Sequence, residues 1–159
     1  MAIIIGITGS IASGKTTVAK IMSGKKHPLF SADKVVAKIY KKKTVITRLI
    51  KELKLDSSKP IKRQLKIIVK ENEKIMRKIE LIIHPLVRNE MKLFLKKKNK
   101  ILICEIPLLI ESNLIHFFDK LVFVGAKKNL RKKRYLKVNK DKKIFNLLNK
   151  RQIKESKKR

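Results

Sequence analysis

Residues 9–16 read Gly-Ser-Ile-Ala-Ser-Gly-Lys-Thr, and few eight-residue stretches constrain a fold as tightly. They fit the pattern G-x-x-x-x-G-K-[ST], which needs a strand before it and a helix after it. Both are in place: the apolar run Ile3-Ile4-Ile5-Gly6-Ile7 precedes the stretch, and a helical pattern runs from Lys15 to Met22. Gly9 and Gly14 permit backbone angles that a Cβ resists, so successive N–H groups can turn inward around an anion. The helix then starts at that anion, where its dipole and unpaired N–H groups add attraction. Lys15 is expected to reach the terminal phosphates of a nucleoside triphosphate, and the Thr16 hydroxyl to hold a magnesium ion. The competing reading is a Gly/Ser-rich turn with no ligand. Eight fitting positions in the right context favour phosphate binding.

The rest of the chain reads as an α/β protein built around that loop. Residues 2–8 form a β-branched run with no polar alternation, as in a buried parallel strand. Val18, Ile21 and Met22 give the following helix its packing face, and Gly24 is a suitable C-cap. A second short strand fits Leu29-Phe30 and leads into Ser31-Ala32-Asp33. Ligands of open parallel sheets collect at the carboxyl ends of the strands, which is where Asp33 falls. Its carboxylate can take a hydroxyl proton, orient an acceptor or help hold a metal, and equally it can cap the next helix.

Helical patterning then covers 34–56, with one stripe at Val35, Val36, Ile39 and Tyr40 and another at Thr44, Val45, Leu49, Ile50 and Leu53. Leu55 to Pro60 is a loop, and helical spacing resumes from Ile61 through Ile83 to His84-Pro85, then from Leu86 to Leu95. A helical insertion of about 34–95 is expected between the second and third strands. Ile101 to Ile106 reads as the third strand and Leu121 to Val124 as the fourth, with a looping or short helical segment at Leu108–Ile115. Glu105, at the tip of the third strand, is either a metal or water ligand or an ordinary strand-end charge. Residues 126–159 turn strongly basic, and the spacing of Leu130, Tyr135, Leu136, Ile144, Phe145, Leu147 and Leu148 predicts two amphipathic helices. Such a flap beside a triphosphate site can supply a charge-stabilising arginine, with Arg131 and Arg134 as candidates. One domain over 1–159 is expected.

Lys and Arg number 43 against 12 Asp and Glu, a formal net charge of +31. Nonspecific binding to nucleic acid at low salt follows from such a charge. A dedicated nucleic-acid reader is not indicated: lysine dominates over arginine, aromatics are 5%, and no zinc-ligand, helix-turn-helix or RNP pattern occurs. No apolar run approaches the ~20 residues of a membrane span, and the first strand lacks the basic leader and length of a signal peptide. Cys104 is the only cysteine, so no internal disulfide can form, and its apolar surroundings in sequence predict a buried, inert thiol. A cytoplasmic monomer is expected.

Assembled, these segments resemble the dephospho-coenzyme A kinase family, of the nucleoside-monophosphate-kinase-like branch of phosphate-loop enzymes. The family's opening T-G-G-I-G-S-G-K-S-T-V-A is matched by Thr8 to Ala19, and its D-A-D element by Ser31-Ala32-Asp33. Its L-x-x-I-x-H-P-x-[VI]-R element resembles residues 79–88, Ile79 to Arg88, and its V-P-L-L-[FI]-E element Ile106 to Glu111. The resemblance implies a three-layer P-loop NTPase fold with a parallel sheet, a helical substrate-binding insertion and a basic helical lid. It implies transfer of the ATP γ-phosphoryl group to the 3′-hydroxyl of dephospho-coenzyme A, with Mg2+ as cofactor. Carried over by position, Gly9, Ser10, Ile11, Ala12, Ser13, Gly14, Lys15, Thr16 and Thr17 would bind ATP. Asp33, His84, Arg88, Pro107 and Leu108 would bind the acceptor, and Lys15, Asp33 and Arg134 would carry catalysis, with Thr16 on the metal.

The match departs from the family at Ser31 for the first aspartate, at Lys38 for an arginine, and at Val138 for a second lid arginine. The family's A-D-x-[VI]-I-x-N strand has no counterpart in these residues, which predicts an exposed sheet edge and weaker hold on adenine. Two alternatives remain open from the sequence. One is a phosphate-loop kinase with another hydroxyl acceptor, such as a nucleoside; the other is a degenerate member that only binds nucleotides or nucleic acid.

Overall fold

The structure, a computed structural model, describes residues 2–153. It divides into two compact units, Met1–Ala32 with Phe94–Arg159, and Asp33–Leu93.

The first unit holds a parallel sheet of four strands: β1 (Ile3–Gly9), β2 (Leu29–Ser31), β3 (Ile101–Glu105) and β4 (Lys120–Val124). Their spatial order is β2-β3-β1-β4, so the strand that feeds the glycine-rich loop is central. Ile3 pairs with Ile101 and Ile7 with Glu105 on one side, and Ile5 pairs with Lys120 and Gly9 with Val124 on the other. Ser31 lies opposite Glu105 in the β2–β3 register. Parallel register therefore brings the carboxyl ends of three strands, at Gly9, Ser31 and Glu105, to one edge.

Helix α1 (Lys15–Ser23) packs on the sheet through a buried cluster of Ile7, Ala19 and Ile103, joined by Met22, Leu29, Val122 and Val124. It ends at Gly24, whose φ of 53° and N–H to the Lys20 carbonyl make the expected C-cap. Cys104 is fully buried, and desolvation pushes its thiol up to about 12, so it stays neutral and unreactive.

In the second unit, helix α2 (Ala32–Ile39) is followed by α3 (Lys43–Leu53), α4 (Ile61–Glu71) and α5 (Glu73–Leu95). The sequence suggested one helix over 34–56, and the structure breaks it at residues 40–42. Phase explains the break. Val45 lies six positions past Ile39, about 240° round a continuous helix at about 100° per residue. Both are buried in one cluster with Leu49, Leu65, Ile79, Ile82 and Ile83, so the chain resets its phase between them.

A second break falls at Asn72, whose side chain accepts from the Lys74 N–H at 2.9 Å and so caps α5. The helical pattern on either side of His84-Pro85 belongs to one helix, with Pro85 inside α5. Proline there leaves the Leu81 carbonyl without its usual donor. Leu81 and Pro85 both sit on the exposed face, where water can satisfy it.

The basic stretch forms α6 (Lys128–Asn139) and α7 (Lys142–Arg151), back in the first unit. Asp141 accepts from the Ile144 N–H and caps α7, while the fully buried Phe145 packs against Tyr135 in a tilted ring pair with centroids 5.5 Å apart. Among the described residues, no helix is long and apolar enough to cross a membrane.

Candidate active site

The loop after β1 owes its shape to two glycines. Gly9 has φ 150°, and a Cβ built on it would stand 2.1 Å from the Val124 carbonyl oxygen of the paired strand. Gly14, at φ 104°, is the left-handed residue from which α1 starts, and its carbonyl accepts from the N–H groups of Thr17 and Val18. Gly9→Ala should lower stability by roughly 3 kcal/mol, on the order of 10 °C in Tm at this length, because backbone has to give way. Thermal melting checks this; an unshifted Tm contradicts the close packing.

Within the loop, the Lys15 ammonium is buried and donates to the Ser10 carbonyl at 2.9 Å, which also accepts from the Ser13 N–H. The lysine is thereby folded over the loop rather than left in solvent, placing its charge where phosphates would lie. Ser13 is buried too, and its Oγ has no hydrogen-bond partner among the described residues. Its carbonyl accepts from the Arg134 Nη1 at 3.2 Å. The expected arginine of the basic flap thus lies against the loop.

Thr16, the first exposed residue of α1, donates its hydroxyl to Glu105 Oε1 at 2.5 Å. The other oxygen, Oε2, accepts from the Ser31 hydroxyl at 2.9 Å. Glu105 is only 1% exposed, so a carboxylate has been brought into the protein and held by two hydroxyl donors. Glu105 is therefore not a solvent-exposed strand-end charge. Hard oxygen donors from a threonine and a carboxylate suit a hard divalent cation. No group of three or more His, Cys, Asp and Glu able to hold a metal occurs among the described residues.

The segment just past β3 is tied to β1 next to the loop. Thr8 Oγ1 donates to the Pro107 carbonyl at 3.2 Å, and the Ile106 N–H continues the ladder to the Ile7 carbonyl. Pro107 and Leu108 are half-buried just past β3. Two groups from the basic helices also reach the loop. The buried Arg131 donates to the carbonyls of Ala126 and Ile11 and to Asn149 Oδ1, and the Ile11 N–H donates to Gln152 Oε1 at 2.8 Å.

Gly9 to Thr17, Arg134, Pro107 and Leu108 therefore all belong to the first unit, in the β1–α1 segment, on α6 and just past β3. Asp33, His84 and Arg88 belong to the helical unit. Asp33 is exposed in the first turn of α2, two residues along the chain from Ser31. His84 and Arg88 lie four residues apart on α5 and so share one helix face. Sequence reasoning did not single out Gln152, Asn149 or the hydroxyl of Ser31 as partners. Their signal lies in tertiary contacts, not in any local pattern.

A model of the dephospho-CoA kinase family matches residues 3–159. A dephospho-CoA kinase of Fusobacterium nucleatum is 43% identical over 126 residues, covering 76% of this chain and 65% of that protein, so the chain spans just under two thirds of that relative. A dephospho-CoA kinase of Bartonella henselae is 36% identical over 166 residues, covering 98% of this chain and 84% of the relative. Among solved structures, TT1252 from Thermus thermophilus is similar with a TM-score of 0.78 at 27% identity, covering 99% of this chain and 83% of that one. A dephospho-CoA kinase from Campylobacter jejuni gives 0.54 at 26% identity, covering 98% and 82%.

Proposed function

The chain belongs to the dephospho-CoA kinase family of ATP-dependent kinases, and we propose that it performs that family's reaction with the residues described above. The acceptor's 3′-hydroxyl oxygen forms a bond to the γ-phosphorus, the bond from that phosphorus to the β,γ-bridging oxygen breaks, and the hydroxyl proton leaves to a carboxylate. Phosphoryl transfer of this kind is mostly positioning and charge stabilisation, which is the chemistry these residues offer. The observation that carries the reading is the phosphate loop with Thr16 bonded to the buried Glu105.

Lys15 neutralises charge on the terminal phosphates, and the loop N–H groups hold the remaining oxygens. Arg134, resting against Ser13, adds positive charge on the lid side of the transferring group. Asp33 orients the acceptor hydroxyl and takes its proton. His84 and Arg88 hold the acceptor, Arg88 pairing with a phosphate of the coenzyme, and Pro107 and Leu108 line its path. A divalent metal accompanies ATP in such kinases, and the reading here is Mg2+, which the Thr16 hydroxyl and Glu105 would hold and which would offset the negative charge of the phosphates.

Asp33→Asn is expected to lower turnover by roughly a hundredfold at near-unchanged ATP affinity, because it removes a proton acceptor and not a phosphate contact. Steady-state kinetics with both substrates varied checks this, and full turnover would remove Asp33 from the reaction. The acceptor is tested by comparing ATP consumption with dephospho-coenzyme A against a panel of nucleosides; faster turnover of a nucleoside overturns the named acceptor.

The protein is further read as a cytoplasmic monomer, since a net charge of +31 makes copies repel one another. The same charge supports only salt-sensitive, nonspecific contacts with nucleic acid. Affinity for a random duplex should vanish by physiological ionic strength, and retention there would favour a dedicated role.

A further inference from the structure

The peptide groups of Ile11 are held on both sides by the basic C-terminal helices. Its N–H donates to Gln152 Oε1 at 2.8 Å, just past the end of α7, and its carbonyl accepts from Arg131 on α6. Arg131 is itself 5% exposed and tied to Asn149 Oδ1 of α7 at 2.8 Å and to the Ala126 carbonyl at 2.9 Å. Glu111, in the turn beyond β3, accepts from the Ile153 N–H at 3.0 Å and anchors the same segment. The grip therefore runs α6–Ile11–α7, with α7 fixed at its far end.

The residue after this grip is strained. Ala12 has φ 57°, the left-handed region that a residue with a Cβ disfavours, and it lies in the middle of the phosphate loop. Such a conformation persists only where the surroundings over-determine it. Both polar groups of the preceding residue are fixed from outside the loop, which supplies that constraint.

We propose that Gln152 is a positioning residue for the phosphate loop, which together with Arg131 clamps Ile11 and so holds Ala12 in its left-handed conformation. The proposal rests on the reading of this loop as the ATP phosphate site. It also assigns the Ile11 N–H to the clamp rather than to a phosphate. Without the Gln152 acceptor, the loop relaxes towards conformers in which Ala12 leaves the left-handed region and the neighbouring N–H groups no longer converge. Glycine at position 12 would carry no such penalty, so the clamp should matter less there.

The test uses Gln152→Met, which fills similar space without a strong acceptor, alone and with Ala12→Gly. Without nucleotide, amide exchange at Ile11 should accelerate about tenfold or more in Gln152→Met, with distant core amides unchanged. Calorimetric titration with ATP and Mg2+ should give a Kd about fivefold weaker for Gln152→Met, shrinking to less than about twofold when both proteins carry Ala12→Gly. Unchanged exchange at Ile11 overturns the clamp. So does an undiminished affinity loss in the Ala12→Gly background, which would assign Gln152 to packing alone. Exchange is read without ATP, so failure of the unaltered chain to bind ATP would overturn the phosphate-site reading while leaving the clamp judged by exchange.

Discussion

Lys15→Met should reduce kcat/KM about a hundred- to a thousandfold while leaving the fold intact. Methionine keeps most of the side chain's length and its apolar character but lacks the one charged group within residues 9–16, the group proposed to meet the phosphates. Removing one preorganised electrostatic contact at a reacting centre typically costs about that much. Lys15 is buried and donates to the Ser10 carbonyl, so the substitution also deletes a loop hydrogen bond. A modest loss of stability, about 1 kcal/mol, is expected from that. The catalytic loss should appear in kcat as well as in the KM for ATP, since the charge on the transferring group is stabilised in the transition state. Circular dichroism and melting establish that the variant is folded. Near-full activity in a folded Lys15→Met protein would separate the loop from catalysis.

Glu105→Gln should raise the divalent metal concentration required for half-maximal activity by roughly ten- to a hundredfold, as loss of a ligand or its oriented partner does. The amide keeps the shape and one oxygen acceptor, so either Thr16 or Ser31 can still donate to it. What disappears is the negative charge that a cation needs. Activity should recover partly at high metal, which a purely structural defect would not permit. Glu105→Ala differs: it leaves the hydroxyl of the buried Ser31 without its acceptor, and should cost an additional 1–3 kcal/mol or so of stability. A metal requirement unchanged in Glu105→Gln would return Glu105 to a structural role.

How much of this was legible in the sequence depended on whether the signal was local. The phosphate loop was readable because its constraints are: two glycines, a lysine and a threonine at fixed spacing between a β-branched run and a helical stripe. The strands were readable for the same reason, as short apolar runs ended by polar or turn residues. Helix boundaries in the second unit were less so. Nothing at residues 40–42 marks a break by Gly or Pro, and only the incompatible phases of Ile39 and Val45 require one. Asn72 was a legible cap that periodicity alone passed over, while Pro85 carried a breaker signal that an exposed helix face made harmless.

Within the site, Glu105 was visible as a charge at the tip of an apolar strand, yet its role turned on partners 89 and 74 residues away. Ser31 read as a departure from the family pattern; the structure makes it a donor to that carboxylate. An aspartate there would set a second negative charge against Glu105, whereas a hydroxyl stabilises the one that is present. Gln152 had no pattern to betray it, because its contact with Ile11 spans 141 residues and ends on a backbone N–H. Long-range contacts to backbone leave almost no trace in one sequence, which is why the clamp emerged only in three dimensions.

The most direct measurement is to incubate the protein with ATP labelled in its γ-phosphoryl group, Mg2+ and dephospho-coenzyme A, and to identify the product by mass and phosphorus NMR. The account predicts label on the ribose 3′-oxygen, giving coenzyme A in amounts equal to the ADP formed, with Lys15→Met running near background. A folded, ATP-binding protein that leaves dephospho-coenzyme A unlabelled would contradict it.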